Sequence, residues 1–129
     1  MIFGVGTDLV EIARIERTYE RHGERFVNHL LTDRERALFE ENKRPVRFLA
    51  MHFAAKEAIV KAMGTGFAHG VWIRDIGFYP DAWGKPCVEM SPRALEVCRR
   101  LGAGEGFVSL SDEKGLAQAF AVLMRADAA

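Results

Sequence analysis

The chain opens with an apolar run from Met1 to Val5, lightened by Gly4 and Gly6, that closes at Gly6-Thr7-Asp8. This predicts a strand over 1–8, with Asp8 where the strand turns into a helix. Ile12, Ile15 and Tyr19 then recur at helical spacing, predicting a helix over 9–21 with those residues on the core side. Arg14, Arg17 and Arg21 fall on the opposite side, and Arg25 extends the stripe unless Gly23 bends or ends the helix. Thr32-Asp33-Arg34-Glu35 is a capping-box pattern, so a helix starts at Asp33 and runs to about Glu41. Pro45 suits the first turn of a long helix that carries Glu57 and Lys61 and ends at Gly64-Thr65-Gly66. Strands follow over 73–79 and 86–90, joined by turn residues at 81–85. Ser91-Pro92 caps a helix through Leu101, stopped by Gly102 and Gly104. Strands over 106–111 and 116–125 form a hairpin through 112–115. Helices in the first half and antiparallel strands in the second predict an α+β fold.

At 129 residues the chain fits one domain, 1–129, with a modest core. Eighteen basic residues balance eighteen acidic ones, so the net charge points to neither nucleic acid nor a membrane surface. Cys87 and Cys98 have no Cys-x-x-Cys or Cys/His company and read as reduced thiols. No apolar run reaches the roughly 18 residues of a membrane span, and the N-terminus lacks a signal-peptide pattern. The expected compartment is the cytoplasm.

The stretch Phe53-Ala54-Ala55-Lys56-Glu57-Ala58-Ile59-Val60-Lys61 puts Glu57 and Lys61 one turn apart on a largely apolar helix. Two readings stand side by side: a surface ion pair, or a carboxylate and an ammonium that meet an ionic ligand. Asp8 is likewise either a helix N-cap or a metal ligand. Asp8 and Glu57 together would meet the small carboxylate requirement of Mg²⁺ bound with substrate phosphates and water. Gly64-Thr65-Gly66 resembles a phosphate-cradling loop but lacks the spacing of a P-loop, and a helix C-cap explains Gly64 without a ligand. The arginine stripe is either a solvated face or a dock for an acidic partner. No Ser-His-Asp arrangement is visible; Ser109 and Ser111 read as strand residues, and His52 could touch an anionic ligand.

Five segments occur in order: 4–12, 53–58, 61–66, Gly84-Lys85-Pro86 and 108–113. Together they resemble the holo-acyl-carrier-protein synthases, the small bacterial type of 4′-phosphopantetheinyl transferase, over nearly the whole chain. The resemblance implies the fold of that superfamily, with N-terminal helices packed on an antiparallel sheet. It implies transfer of the 4′-phosphopantetheine arm of coenzyme A to a serine of acidic apo acyl carrier protein. Adenosine 3′,5′-bisphosphate is the other product, and the reaction supports fatty acid biosynthesis. It implies Mg²⁺ and a homotrimer with sites between subunits. By position, Asp8 and Glu57 hold the metal, and Lys61 contacts the pyrophosphate near Gly64, Thr65 and Gly66. Gly84, Lys85 and Pro86 flank the adenosine end, and Arg14 and Arg21, with Arg17 and Arg25 in the stripe, face the carrier protein. Glu57, directly or through water, is the candidate base, supported by Lys61.

Two positions depart from that pattern. Many family members carry arginine where this chain has His52, and histidine where it has Phe107, both expected near the 3′-phosphate of coenzyme A. Phenylalanine cannot pair with phosphate, which leaves Arg44 or Arg47 as substitutes. A module that binds a nucleotide or an acidic protein without turnover is the competing reading, and it leaves Asp8 and Glu57 structural.

Overall fold

The computed structural model describes residues 1–127. Its elements are β1 (Ile2–Glu11), α1 (Ile12–His22), α2 (Glu24–Leu30), α3 (Asp33–Glu41), α4 (Pro45–Met63), β2 (Ile76–Pro80), β3 (Pro86–Met90), α5 (Pro92–Leu101), β4 (Ala103–Glu113) and β5 (Leu116–Arg125). The strands form one antiparallel sheet in the order β1-β5-β4-β3-β2. Helices on one face of an antiparallel sheet make the fold α+β, as the pattern of elements predicts.

Local chemistry sets the helix ends. Thr32 and Glu35 form the capping box that starts α3, and the Ser91 hydroxyl accepts from Ala94 N at the head of α5. Pro45 opens α4, and Gly64 closes it at φ 82°, a left-handed conformation that a side chain would oppose. Lys114 and Gly115, at φ 50° and 80°, turn β4 into β5 with the two positive-φ residues of a tight hairpin.

The core lies between α4 and the strands β1, β5 and β4. Alanines line both sides of this contact: Ala54, Ala58 and Ala62 on the helix, Ala117, Ala119 and Ala121 on β5, all buried. Such small residues let the helix approach the sheet closely. The approach is tightest at β1. A Cβ at Gly6 would sit 2.0 Å from the Ala58 carbonyl oxygen, and one at Gly4 would sit 2.1 Å from that of Ala62. These two glycines, which looked like weak points of a strand, are the places where strand and helix touch.

Several boundaries differ from expectation, and α2 is a helix where none was expected. β1 runs three residues beyond Asp8, because Leu9, Val10 and Glu11 continue the ladder opposite Gln118, Ala117 and Leu116. Asp8 is therefore inside the strand, opposite Ala119, and is no helix cap; the residue before α1 is Glu11, whose side chain makes no cap bond. Residues Ile73–Asp75 form a single 3-10 turn instead of the start of a strand. There Asp75 turns back to accept from Trp72 N, while Ser91 and Arg93 also donate to it. Finally, β4 is longer than expected, since Asp112 and Glu113 pair with Ala117 and Leu116.

β3 and β4 are joined only at Cys87 and Phe107, so the β2–β3 hairpin hangs on the edge of a three-stranded sheet. The face of that sheet turned away from α4 is uncovered. It carries Val5 and Leu9 of β1, Phe107 of β4 and Phe120 of β5 in solvent. No described helix is long and apolar enough to cross a membrane. Cys87 and Cys98 are free thiols.

Candidate active site

Gly4 and Gly6 bring β1 onto α4, and alternation along the strand then points Asp8 to the same side as Gly6 and Val10. On α4, Glu57 and Lys61 face the strand. Lys61 Nζ donates to Thr7 O at 2.9 Å and to Asp8 Oδ1 at 3.3 Å. The expected alternative, an ion pair between Glu57 and Lys61, is absent among the described residues, because Lys61 crosses to β1 instead. Burial pushes the Glu57 carboxyl above its ordinary range, and the Asp8 carboxylate pushes it further; Lys61 and Arg14 oppose the shift. Two carboxylates from distant parts of the chain therefore share one corner with less positive charge than they need. No three His, Cys, Asp or Glu residues among those described are grouped to hold a metal. The oxygen-only pair Asp8 and Glu57, under-neutralised as it stands, fits a hard divalent cation whose remaining ligands are phosphate and water.

Arg14 is the unexpected member of this corner. The sequence puts it on the basic stripe, and in the fold it also acts electrostatically on Glu57. Arg14, Arg17 and Arg21 are exposed along α1, and Arg25 follows on α2 after the break at Gly23. The stripe thus begins at the carboxylate pair and runs outward.

The loop after α4 is less open to a phosphate than its composition suggests. The backbone N–H groups of Gly64, Thr65 and Gly66 all donate to Val60 O, at 3.1, 3.3 and 3.3 Å. They cap the helix, which is the plainer of the two readings of this segment, and so do not form a free amide cradle. The Thr65 hydroxyl donates to Gly66 O.

A cavity of about 610 Å³ lies elsewhere, between the N-terminal half of α4, the β2–β3 turn and β4. Phe48, Phe78 and Leu110 give it apolar walls, and Arg47 and Lys85 bring positive charge, with Gly84 and Pro86 beside Lys85. Asp81 fixes the turn by accepting from Trp83 N and Lys85 N at 2.8 and 2.9 Å. Arg47 is held by a two-point contact with Asp112, at 2.7 and 3.0 Å. Arg44 precedes α4, exposed, and does not line the cavity. Neither Asp8, Glu57 nor Lys61 lines this cavity.

His52, a candidate anion contact, is largely buried. It is 4% exposed and stacked between Phe48 and Phe78, with ring centroids 4.0 Å from each. Its Nδ1 bonds Glu35, which also receives Lys56 Nζ at 2.6 Å, Thr32 N at 2.9 Å and Phe78 N at 3.2 Å. Burial would raise the Glu35 carboxyl, but bonds and charge from His52 and Lys56 overcome it and hold it below its ordinary range. Sequence reasoning missed this buried cluster. Glu35 looked fully explained by the capping box, and Lys56 by helix propensity. The available signal was the spacing of Lys56 four residues after His52 and three before Ile59, which puts an ammonium on the apolar face.

The family model for the 4′-phosphopantetheinyl transferase superfamily matches residues 4–120. A holo-[acyl-carrier-protein] synthase of Halorhodospira halophila is 46% identical over 124 residues, covering 96% of this chain and 98% of that protein. The crystal structure of holo-[acyl-carrier-protein] synthase from Neisseria meningitidis superposes with a TM-score of 0.93 at 39% identity, covering 97% of this chain and all of that one. A holo-(acyl-carrier-protein) synthase from Bacillus anthracis, in complex with CoA (3′,5′-ADP), gives a TM-score of 0.80 at 34% identity, covering 98% and 99%.

Proposed function

The chain belongs to the 4′-phosphopantetheinyl transferase superfamily, and we propose that it moves the 4′-phosphopantetheine arm of coenzyme A onto a serine of apo acyl carrier protein, the step that equips that carrier for fatty acid biosynthesis. The observation that carries this reading is the meeting of Asp8, Glu57 and Lys61 at the β1–α4 contact. The serine oxygen attacks the pantetheine-side phosphorus, and the bond from that phosphorus to the diphosphate bridging oxygen breaks. Adenosine 3′,5′-bisphosphate leaves, and the serine proton passes to water. There is little covalent work for the protein in such a transfer, so positioning and charge neutralisation dominate.

Asp8 and Glu57 would hold a magnesium ion, which would supply charge neutralisation to the diphosphate. Lys61 sits between β1 and α4, where its ammonium can pair with a phosphate oxygen as charge develops. Glu57 orients the water that receives the serine proton. Arg14 marks where the carrier's acidic surface meets the site, and Arg17, Arg21 and Arg25 continue that surface.

The cavity beside Lys85 is the place for the phosphoadenosine end. Gly84, Lys85 and Pro86 border it as the resemblance implies, and its aromatic walls suit a nucleobase. The cavity and the carboxylate pair do not share lining residues, which favours a site completed by a second copy of the chain. The uncovered apolar sheet face gives that copy a seat, and a homotrimer is the assembly proposed. A cytoplasmic setting agrees with the two free thiols.

Incubation of apo carrier protein with coenzyme A, Mg²⁺ and this chain is expected to add the mass of one phosphopantetheine arm, and chelation is expected to stop it. An unchanged carrier mass at saturating substrate would overturn the reading in favour of a binding module.

A further inference from the structure

His52 has two ring nitrogens, and only Nδ1 is engaged, by Glu35. Nε2 makes no hydrogen bond to a described residue, yet no described side-chain nitrogen or oxygen is buried without a partner. Nε2 therefore opens onto the cavity that His52 helps to line. With Glu35 ionised, Nδ1 carries the proton, so the neutral ring presents a lone pair at Nε2. A phosphate oxygen is also an acceptor. The two repel unless Nε2 gains a proton.

We propose that seating a phosphate in this cavity is a proton-coupled event, in which His52 enters the complex as an imidazolium that donates Nε2–H to the phosphate while Glu35 holds Nδ1–H. The inference rests on the reading of the cavity as the phosphoadenosine site. Coenzyme A carries two phosphorylated positions, and the diphosphate is assigned to Asp8 and Glu57. The 3′-phosphate is therefore the group that meets His52.

The charged surroundings support this coupling. From α3, Glu35 favours the imidazolium; from α4, Lys56 opposes it. Glu89 of β3 acts on Lys56. Arg47 of α4 is largely offset by Asp112 of β4, and Lys85 of the β2–β3 turn is the remaining cation at the cavity. Burial holds the His52 imidazole below its ordinary range, so the ring is neutral near pH 7.5. A phosphate dianion then supplies what the cluster lacks, a second anion on the far side of the ring. Phe48 and Phe78 clamp the ring and keep both nitrogens aimed.

Titration calorimetry of the full chain with coenzyme A at pH 7.5, in HEPES and in Tris, reads the protons exchanged. Uptake approaching about one proton per site is expected, with affinity falling by up to tenfold per pH unit between roughly 6.5 and 8.5. Dephospho-coenzyme A is expected to bind without that uptake. His52→Gln should remove the uptake and weaken coenzyme A binding. His52→Arg, a permanent donor, should bind coenzyme A with little pH dependence. Binding with no buffer dependence, or uptake that survives in His52→Gln or appears equally with dephospho-coenzyme A, would sink the inference. Absence of any coenzyme A binding would instead sink the assignment of the site.

Discussion

Asp8 and Glu57 form the centre of the proposed chemistry, and their ionisation carries a direct prediction. The Glu57 carboxyl lies above its ordinary value of 4.5, first through burial and then through Asp8. A raised folded-state value means that the folded chain binds the proton more tightly than the unfolded chain does. Metal-free protein should therefore lose stability as pH rises through the window just above 4.5, and Glu57→Gln should flatten that slope. With Mg²⁺ present the sign reverses, because the cation needs the ionised carboxylate. The rise in Tm produced by Mg²⁺ should grow with pH across the same window and vanish in Asp8→Asn and Glu57→Gln. Those variants should remain folded and lose about 100-fold or more in kcat/KM. Scanning fluorimetry and the carrier mass assay check both halves. A Glu57→Gln protein that keeps its Mg²⁺ response would remove Glu57 from the metal site.

The tight β1–α4 contact is what aligns those residues, and it depends on two hydrogen atoms standing where side chains would be. Gly6→Ala drives a methyl group into the Ala58 carbonyl and should cost about 1–3 kcal/mol, read by urea unfolding. It should also lower activity beyond its effect on the folded fraction, because pushing β1 outward separates Asp8 from Lys61. A variant with wild-type activity would show that the spacing is not critical. This contact also marks the limit of what the chain's letters reveal. Helix caps were legible at Thr32, Ser91 and Gly64 because capping is local chemistry. The motif around Glu57 was legible because its residues lie within two helical turns. The end of β1 was not, since Leu9 and Val10 fit a helix equally well until β5, over a hundred residues away, offers them a ladder. The Glu35–His52–Lys56 cluster was hidden for the same reason: three elements must pack before its charges meet. The loop at Gly64 shows the converse, as its amides make the helix cap that the local sequence predicts.

On the scale of the molecule, the two faces of the chain have opposite characters, and each should answer to its own substitution. The outer sheet face exposes Val5, Leu9, Phe107 and Phe120 on neighbouring strands, an apolar surface that water does not favour. The α1 face exposes Arg14, Arg17 and Arg21 on a chain with no net charge, a field concentrated in one place. If the apolar face joins copies while the basic face receives the carrier, the two functions separate. Phe120→Asp should shift the sedimentation of the protein from trimer to monomer and reduce activity through loss of the composite site. Arg17→Glu with Arg21→Glu should leave sedimentation and coenzyme A affinity unchanged and raise the KM for carrier protein by tenfold or more, equivalent to roughly 1.4 kcal/mol. The wild-type KM for carrier protein should itself climb with salt, since exposed charges are screened beyond about 10 Å at 0.1 M ionic strength. The coenzyme A affinity, set in a partly enclosed cavity, should respond less. Equal loss of carrier and coenzyme A affinity in the arginine variant would show that the basic face belongs to the nucleotide site and not to a separate dock. A Phe120→Asp protein that still sediments as a trimer would place the interface elsewhere.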